Sequence, residues 1–207
     1  MAVIVDYDAG NLRSVQRACT EVGLAATISD DPKAIRHADR IIFPGVGAAG
    51  SAMQSIRKSG VDVALEHAFR SGVPILGICL GLQISLEFSE ENDQTTLGFL
   101  PGKVCRFQLR NRDLKIPHMG WNEIEVQRWH PLLEGINDGD EFYFVHSFFP
   151  EPENPTTIFA SAQHEREFCC AAGLDNFFGT QFHPEKSGRV GLGLLDRFRN
   201  WDGRIAE

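Results

Sequence analysis

Four strand-like runs, each followed by a stretch with helical spacing, fill the first part of the chain. This alternation restricts the fold more than any other feature. The runs are AVIVDY (2–7), AATIS (25–29), RIIFPGVG (40–47) and VPILGIC (73–79). After the first, Leu12, Val15, Ala18, Cys19 and Val22 recur at helical spacing, and Gly23 stops the pattern. Asp31 and Pro32 suit the N-cap and first turn of a second helix. Segments 51–60, 61–72 and 80–88 read as further helices. Repeated β–α units place their strands side by side and parallel, with helices covering the sheet. The expected fold class is α/β: an open, mostly parallel sheet with helices on both faces.

Beyond about residue 95 the pattern becomes β-rich. GKVCRFQL (102–109), WNEIEV (121–126), EFYFVHSFF (141–149), TTIFASAQ (156–163), EFCCAAGLD (167–175) and FFGTQFH (177–183) are joined by turns bearing Pro and Gly. Antiparallel hairpins are expected here. The amphipathic segment 187–201 should return as a helix. No Ser/Gly linker, repeat or low-complexity run interrupts the chain, so residues 1–207 are expected to form one domain with an added β-rich portion.

The net charge of -8 argues against nucleic acid as the main partner, because phosphate binding needs a positive surface. The N-terminus lacks a basic leader, and no apolar run has the length of a membrane span. The five cysteines are scattered apart from Cys169 and Cys170, and no CxxC occurs. Neither a disulfide framework nor a zinc site is expected, and a reducing cytoplasm is. No metal and no cofactor are expected.

The segment VPILGICLGLQ is a strand, a tight turn and a helix with Cys79 at the turn. Gly-x-Cys-x-Gly is the cysteine form of a nucleophile elbow. Gly77 and Gly81 remove side chains where strand and helix crowd together. The free amides at a helix start favour a thiolate, and the N–H of Leu80 can face a developing oxyanion. A small buried cysteine would also fit this segment.

A thiol nucleophile needs a base, and the base an orienter. His183, at the end of FFGTQFH, is followed by Pro184 and Glu185. On extended backbone, residues two apart project to the same side, so Glu185 can hold the imidazole. A solvated turn explains the same three residues. The third element is PGVG (44–47), at the carboxyl end of a strand, where open parallel sheets bind ligands. Val46, between glycines, can supply a second oxyanion N–H. A plain turn is the alternative.

Together these pieces resemble the class I, triad-type glutamine amidotransferases, with their GxCxGxQ elbow, distant HPE and glycine-rich oxyanion strand. The resemblance spans essentially the whole chain. The segments VDYDAGNLRSV, FPGVGAAGSAM, IPHMGWNEI, YFVHSFF and QFHPEKS are similar to a branch that works beside a separate cyclase in histidine biosynthesis. The resemblance implies that Cys79 attacks the carboxamide of glutamine, with His183 as base, Glu185 as its orienter, and Val46 and Leu80 as oxyanion donors. It further implies that Gly47, Gln83, Glu91, Ser147 and Phe148 bind the substrate. Phe148 departs from a common tyrosine, and Asp8 and Ala9 depart from a glycine-containing opening loop.

The chain has too few β–α units to hold a (β/α)₈ cyclase as well. The resemblance therefore implies a separate (β/α)₈ partner subunit in a 1:1 heterodimer. Asn11, Trp121, Asn122 and Lys186 are the candidates for that interface, although a strand tryptophan also serves as core. Two other readings stay open. A paralogous cyclase-like partner would direct the ammonia to sugar amidation. A cysteine peptidase of the same fold would need no partner.

Overall fold

The computed structural model describes residues 1–8 and 10–205; Ala9, in the opening loop, falls outside them. The four early strands form as β1 (Ala2–Val5), β2 (Ala26–Ser29), β3 (Arg40–Gly45) and β4 (Ile75–Cys79). They lie in the order β2-β1-β3-β4, with every neighbouring pair parallel. Helices α1 (Leu12–Glu21), α2 (Pro32–Arg36), α3 (Ala49–Ser59) and α4 (Val61–Arg70) connect them. The α2 start follows the expected cap: the Asp31 side chain accepts from the Lys33 N–H, and Pro32 opens the helix.

Alternation along the strands sorts their side chains onto two cores. Ala2, Ile4, Ile42, Leu76 and Ile78 share one with Val15 and Cys19 of α1 and with Leu194, Leu195 and Phe198 of α6 (Gly188–Asn200). Val3, Val5, Ile41, Phe43 and Ile75 share the other with Ile35 of α2, Met53 and Ile56 of α3, and Leu65 of α4. Burial of each large aliphatic or aromatic side chain contributes roughly 1.5–3 kcal/mol, so both faces drive the layering.

The β-rich portion continues the same sheet. β13 (Phe177–Thr180) lies parallel to β4, pairing Phe177 with Ile75 and Thr180 with Ile78. Beyond it run β12 (Arg166–Leu174), β11 (Ile158–His164), β8 (His118–Val126) and β9 (Glu141–His146), all antiparallel to their neighbours. The nine-stranded order is β2-β1-β3-β4-β13-β12-β11-β8-β9. A second sheet has the order β10-β7-β5-β6, from β10 (Phe148–Pro152), β7 (Gly102–Arg106), β5 (Phe88–Ser89) and β6 (Gln94–Thr95). Pro150 and Pro152 suit β10 to its edge position, because proline cannot donate to a ladder.

Two segments near the end of β4 differ from the expected elements. The helix expected over 80–88 is one turn, α5 (Leu80–Gln83). The carbonyls of Ile84, Ser85 and Leu86 accept from the amides of Leu97, Leu100 and Gly98, so the helical ladder is not continued. The strand expected over 141–149 breaks at Ser147. β9 stays in the large sheet and β10 enters the small one, while the Ser147 carbonyl accepts from the Phe107 N–H. The chain thus changes sheets beside the carboxyl end of β4. No helix among the described residues is long and apolar enough to cross a membrane.

Candidate active site

Cys79 ends β4 with φ 54° and ψ −106°. Positive φ is strained for a residue with a side chain and marks a turn held by its surroundings. Gly81 is sterically required, and Gly77 sits in a tight backbone contact. A Cβ on Gly81 would lie 1.7 Å from the Phe43 carbonyl oxygen, and one on Gly77 would lie 3.0 Å from the Leu82 nitrogen. Because α5 is one turn long, it offers free first-turn amides rather than a long macrodipole. The thiol is buried, with Sγ 4.0 Å from the Val145 carbonyl and accepting from Gln181 Nε2 at 3.5 Å.

His183 follows β13, the strand beside β4, so sheet order brings its imidazole to the Cys79 turn. Its N–H donates to the Tyr143 carbonyl at 2.9 Å. The strand expected over 177–183 ends at Thr180, and Pro184–Lys186 forms a 3₁₀ turn. Glu185 therefore reaches His183 through a tight turn, not along extended backbone. His183 Nδ1 donates to Glu185 Oε1 at 2.7 Å, with both side chains buried. Ser187 Oγ closes the turn on the His183 carbonyl at 2.6 Å.

Burial alone would push the His183 imidazole down. The Cys79 sulfur and the Glu185 carboxylate outweigh it and hold the imidazole up, at about 10. Nε2 is buried with no hydrogen-bond partner, which leaves that nitrogen free for proton transfer. Asn11 Nδ2 donates to the same Glu185 oxygen. Asn11, expected at a partner face, thus has its side-chain amide on the Glu185 carboxylate. Below it, burial and then the Glu185 charge push the Cys19 thiol up to about 12, which keeps that cysteine an inert thiol.

A cavity of 240 Å³ opens over Cys79. Val46 and Gly47 line it from the end of β3, where Gly45 is paired with Cys79 across the sheet. Gly47 has φ 114°, a conformation for glycine alone. Leu80 and Gln83 of α5, then Glu91, Ser147 and Phe148, complete the residues expected there. Burial raises the Glu91 carboxyl above its ordinary value, opposed by the Ala49 N–H that donates to it at 2.8 Å at the start of α3. Gln83 Nε2 donates to the Phe148 carbonyl at 2.8 Å and to Gln181 Oε1 at 3.0 Å. This contact of residue 148 with Gln83 is a backbone one, which phenylalanine makes as well as tyrosine.

Pro117, Val145 and His146 also line the cavity, and sequence reasoning did not select them. Nor did it select Gln181, which touches the Cys79 sulfur. Its one sequence signal was position, two residues before His183 near a strand end. Of the remaining interface candidates, Trp121 is 54% exposed and packs edge-on to Tyr143. Lys186 Nζ lies 5.5 Å over the Tyr143 ring. Asn122 Nδ2 donates to the Gln163 carbonyl at 2.9 Å. Met119, beside Trp121, is 62% exposed, so this strand presents an apolar edge.

Residues 3–198 match the model of the glutamine amidotransferase class-I family. The chain is 48% identical over 203 residues to the imidazole glycerol phosphate synthase subunit HisH of Desulfovibrio desulfuricans, covering 96% of this chain and 93% of that one. It is 46% identical over 204 residues to the HisH subunit of Syntrophotalea carbinolica, covering 96% and 98%. PurLQS from Thermotoga maritima shares the fold with a TM-score of 0.74 at 19% identity, over 96% of this chain and 97% of that one. A solved glutamine amidotransferase does so with a TM-score of 0.73 at 17% identity, over 95% and 98%. The chain belongs to the class-I glutamine amidotransferase family, among the imidazole glycerol phosphate synthase subunits HisH.

Proposed function

We propose that this chain hydrolyses glutamine through Cys79, His183 and Glu185 and delivers the ammonia to a separate cyclase subunit in histidine biosynthesis. The observation that carries the reading is the position of Cys79. It sits on a strained turn, under a cavity lined by Val46, Gly47 and Gln83, one strand from a His183 already paired with Glu185.

With the Cys79 proton already resident on His183 Nε2, as the raised imidazole implies, the sulfur attacks the carboxamide carbon as a thiolate. Glu185 at Nδ1 stabilises the imidazolium. The N–H groups of Val46 and Leu80 hold the oxyanion, each such donor being worth about 10²–10³ in rate. His183 then gives its proton to the leaving nitrogen, and ammonia departs from a glutamyl thioester. Water, deprotonated by the now neutral His183 Nε2, attacks the thioester, and glutamate leaves as the sulfur recovers. Gln83, Glu91 and the Ser147–Phe148 backbone seat the substrate's amino-acid end.

The exposed Met119–Trp121 edge and Lys186 support a docking face for the (β/α)₈ cyclase, which we place in a 1:1 complex. The products of that complex are imidazole glycerol phosphate and aminoimidazole carboxamide ribonucleotide. Cys79→Ala tests the reading. It should abolish glutamine-dependent synthesis by the complex and leave synthesis from added ammonium salts intact. Glutamine-dependent synthesis that survives the substitution would overturn the assignment.

A further inference from the structure

Three histidines outside the triad, His118, His146 and His164, come together under the edge of β8 and β9. His146 Nδ1 lies 2.8 Å from the Phe148 carbonyl. A carbonyl only accepts, so this nitrogen carries the proton and His146 Nε2 is an acceptor. His118 Nδ1 lies 2.9 Å from that Nε2 and must donate to it. His118 Nε2 then accepts from Asn122 Nδ2 at 3.2 Å. Every bond in this series has one allowed direction. It runs from Asn122, on the exposed strand, to the Phe148 carbonyl at the cavity. With both nitrogens of His118 and of His146 engaged, neither of these two rings has a lone pair left for a metal ion.

The ring planes are fixed by packing. His164 stacks on His118 with centroids 4.3 Å apart, and its Nε2 donates to the Lys115 carbonyl at 3.1 Å. Phe144 and Phe168 pack against both His118 and His146. Burial keeps the pair neutral, pushing His118 down to about 4 and His146 to about 3.

At the far end, the Phe148 carbonyl accepts from both His146 Nδ1 and Gln83 Nε2. The second hydrogen of Gln83 Nε2 goes to Gln181, whose own amide donates to the Cys79 sulfur. Both amide hydrogens of Gln83 are thereby engaged, and Oε1 is what it offers to a ligand. We propose that His118 and His146 are positioning residues for the glutamine pocket, holding the Phe148 carbonyl where it seats the Gln83 amide and tying that orientation to the exposed Met119–Asn122 strand. This deepens the glutaminase reading and rests on it.

Two measurements test the proposal. Long-range ¹⁵N–¹H spectra of the full chain should show the Nδ1–H tautomer at both His118 and His146, the reverse of what histidine favours in water. In the presence of the cyclase subunit, His146→Leu should raise KM for glutamine about tenfold and change kcat less than about threefold, as expected for one lost hydrogen bond in binding. His146→Asn places an amide donor near the position of Nδ1 and should recover most of that loss. Thermal unfolding confirms that each variant is folded. An Nε2–H tautomer at either ring would sink the relay whatever the enzyme does. So would a folded His146→Leu whose KM stays within twofold of wild type, or a His146→Asn no better than the leucine variant. A wild-type chain that releases no glutamate, with both tautomers as expected, would end the glutaminase reading and the pocket assignment with it. The hydrogen-bond series itself would stand in that case, so the two failures are distinguishable.

Discussion

Replacing Gly81 by alanine puts a methyl group where no side-chain movement can make room. The new Cβ would lie 1.7 Å from the carbonyl oxygen of Phe43, against the 3.0 Å that real Cβ contacts respect, so backbone must give by about 1.3 Å. Either α5 lifts from the sheet, carrying Cys79 with it, or β3 moves, carrying Gly45 to Gly47. Overpacking of a tight core contact costs about 1–3 kcal/mol. At roughly 2–4 °C per kcal/mol for a chain of this size, the upper figure lowers Tm by roughly 6–12 °C. The loss in catalysis should be larger in proportion. A misplacement of about 1 Å between reacting groups costs about 100-fold, and here nucleophile and oxyanion strand separate directly. Glutamate release, followed as kcat/KM beside a thermal melt, reads both effects. Gly193→Ala on α6 is the control, because its Cβ meets the Arg197 guanidinium at an ordinary 3.4 Å. It should be neutral or stabilising by up to about 1 kcal/mol. A Gly81→Ala variant within twofold of wild-type activity and about 1 °C of its Tm would refute the steric argument for the elbow.

Three further outcomes follow from the site and its surroundings. Asn11→Ala removes a donor from the triad carboxylate, a hydrogen bond to a charged group worth about 1.5–3 kcal/mol. It should lower kcat about tenfold or more at saturating partner, with Asn11→Asp worse because it sets a second carboxylate beside Glu185; an alanine variant at wild-type kcat would exclude the role. His118, His130 and His146 are held neutral by burial, at about 4, 3 and 3. Unfolding lets each take up a proton below about 6.5, so stability is full above that pH and falls on acidification, by at most about 1.4 kcal/mol per pH unit for each. His183, held up at about 10, has the opposite sign: its contribution is present below about 6.5 and is lost as pH rises through 10. Urea midpoints across pH should show both limbs, with His130→Asn flattening the acid one; a midpoint independent of pH between 6.5 and 4.5 would contradict the burial argument. Trp121→Ala should weaken partner binding by about 2 kcal/mol and move the chain's own stability by under about 0.5 kcal/mol. Unchanged affinity in titration calorimetry would remove Trp121 from the interface.

The parallel core was legible because its signals are local. A run such as AVIV, buried throughout, beside a helix with Val15, Ala18 and Cys19 inward, needs no knowledge of the rest of the chain. The elbow was legible for a related reason: Gly81 answers to Phe43, but the need for a bare Cα shows in the residue itself. What failed to show depends on distant partners. The helix pattern from Leu80 to Phe88 is apolar enough to continue, yet its carbonyls are taken by amides more than ten residues later. The break at Ser147 is invisible in EFYFVHSFF, because two sheets claim its halves. Glu185 meets His183 as foreseen, by a 3₁₀ turn that the extended-backbone argument did not contain. Asn11 and Gln181 carry no local mark of their contacts, which cross 174 and 102 residues of sequence.

The adjacency of β3, β4 and β13 also sets an order of events during synthesis. Val46, Cys79 and Leu80 leave the ribosome early, while β13 and His183 come about a hundred residues later. Until residues 177–180 pair, β4 keeps an open edge facing the space that β13 will fill. During that interval the Cys79 turn has no imidazole beside it, and the sheet has an unpaired strand able to capture another chain. Parallel pairing at such separation is slow to form. On the proposed mechanism a nascent chain therefore emerges with Cys79 still lacking its imidazole, and the step that brings His183 beside the thiol is the same step that covers the open side of β4.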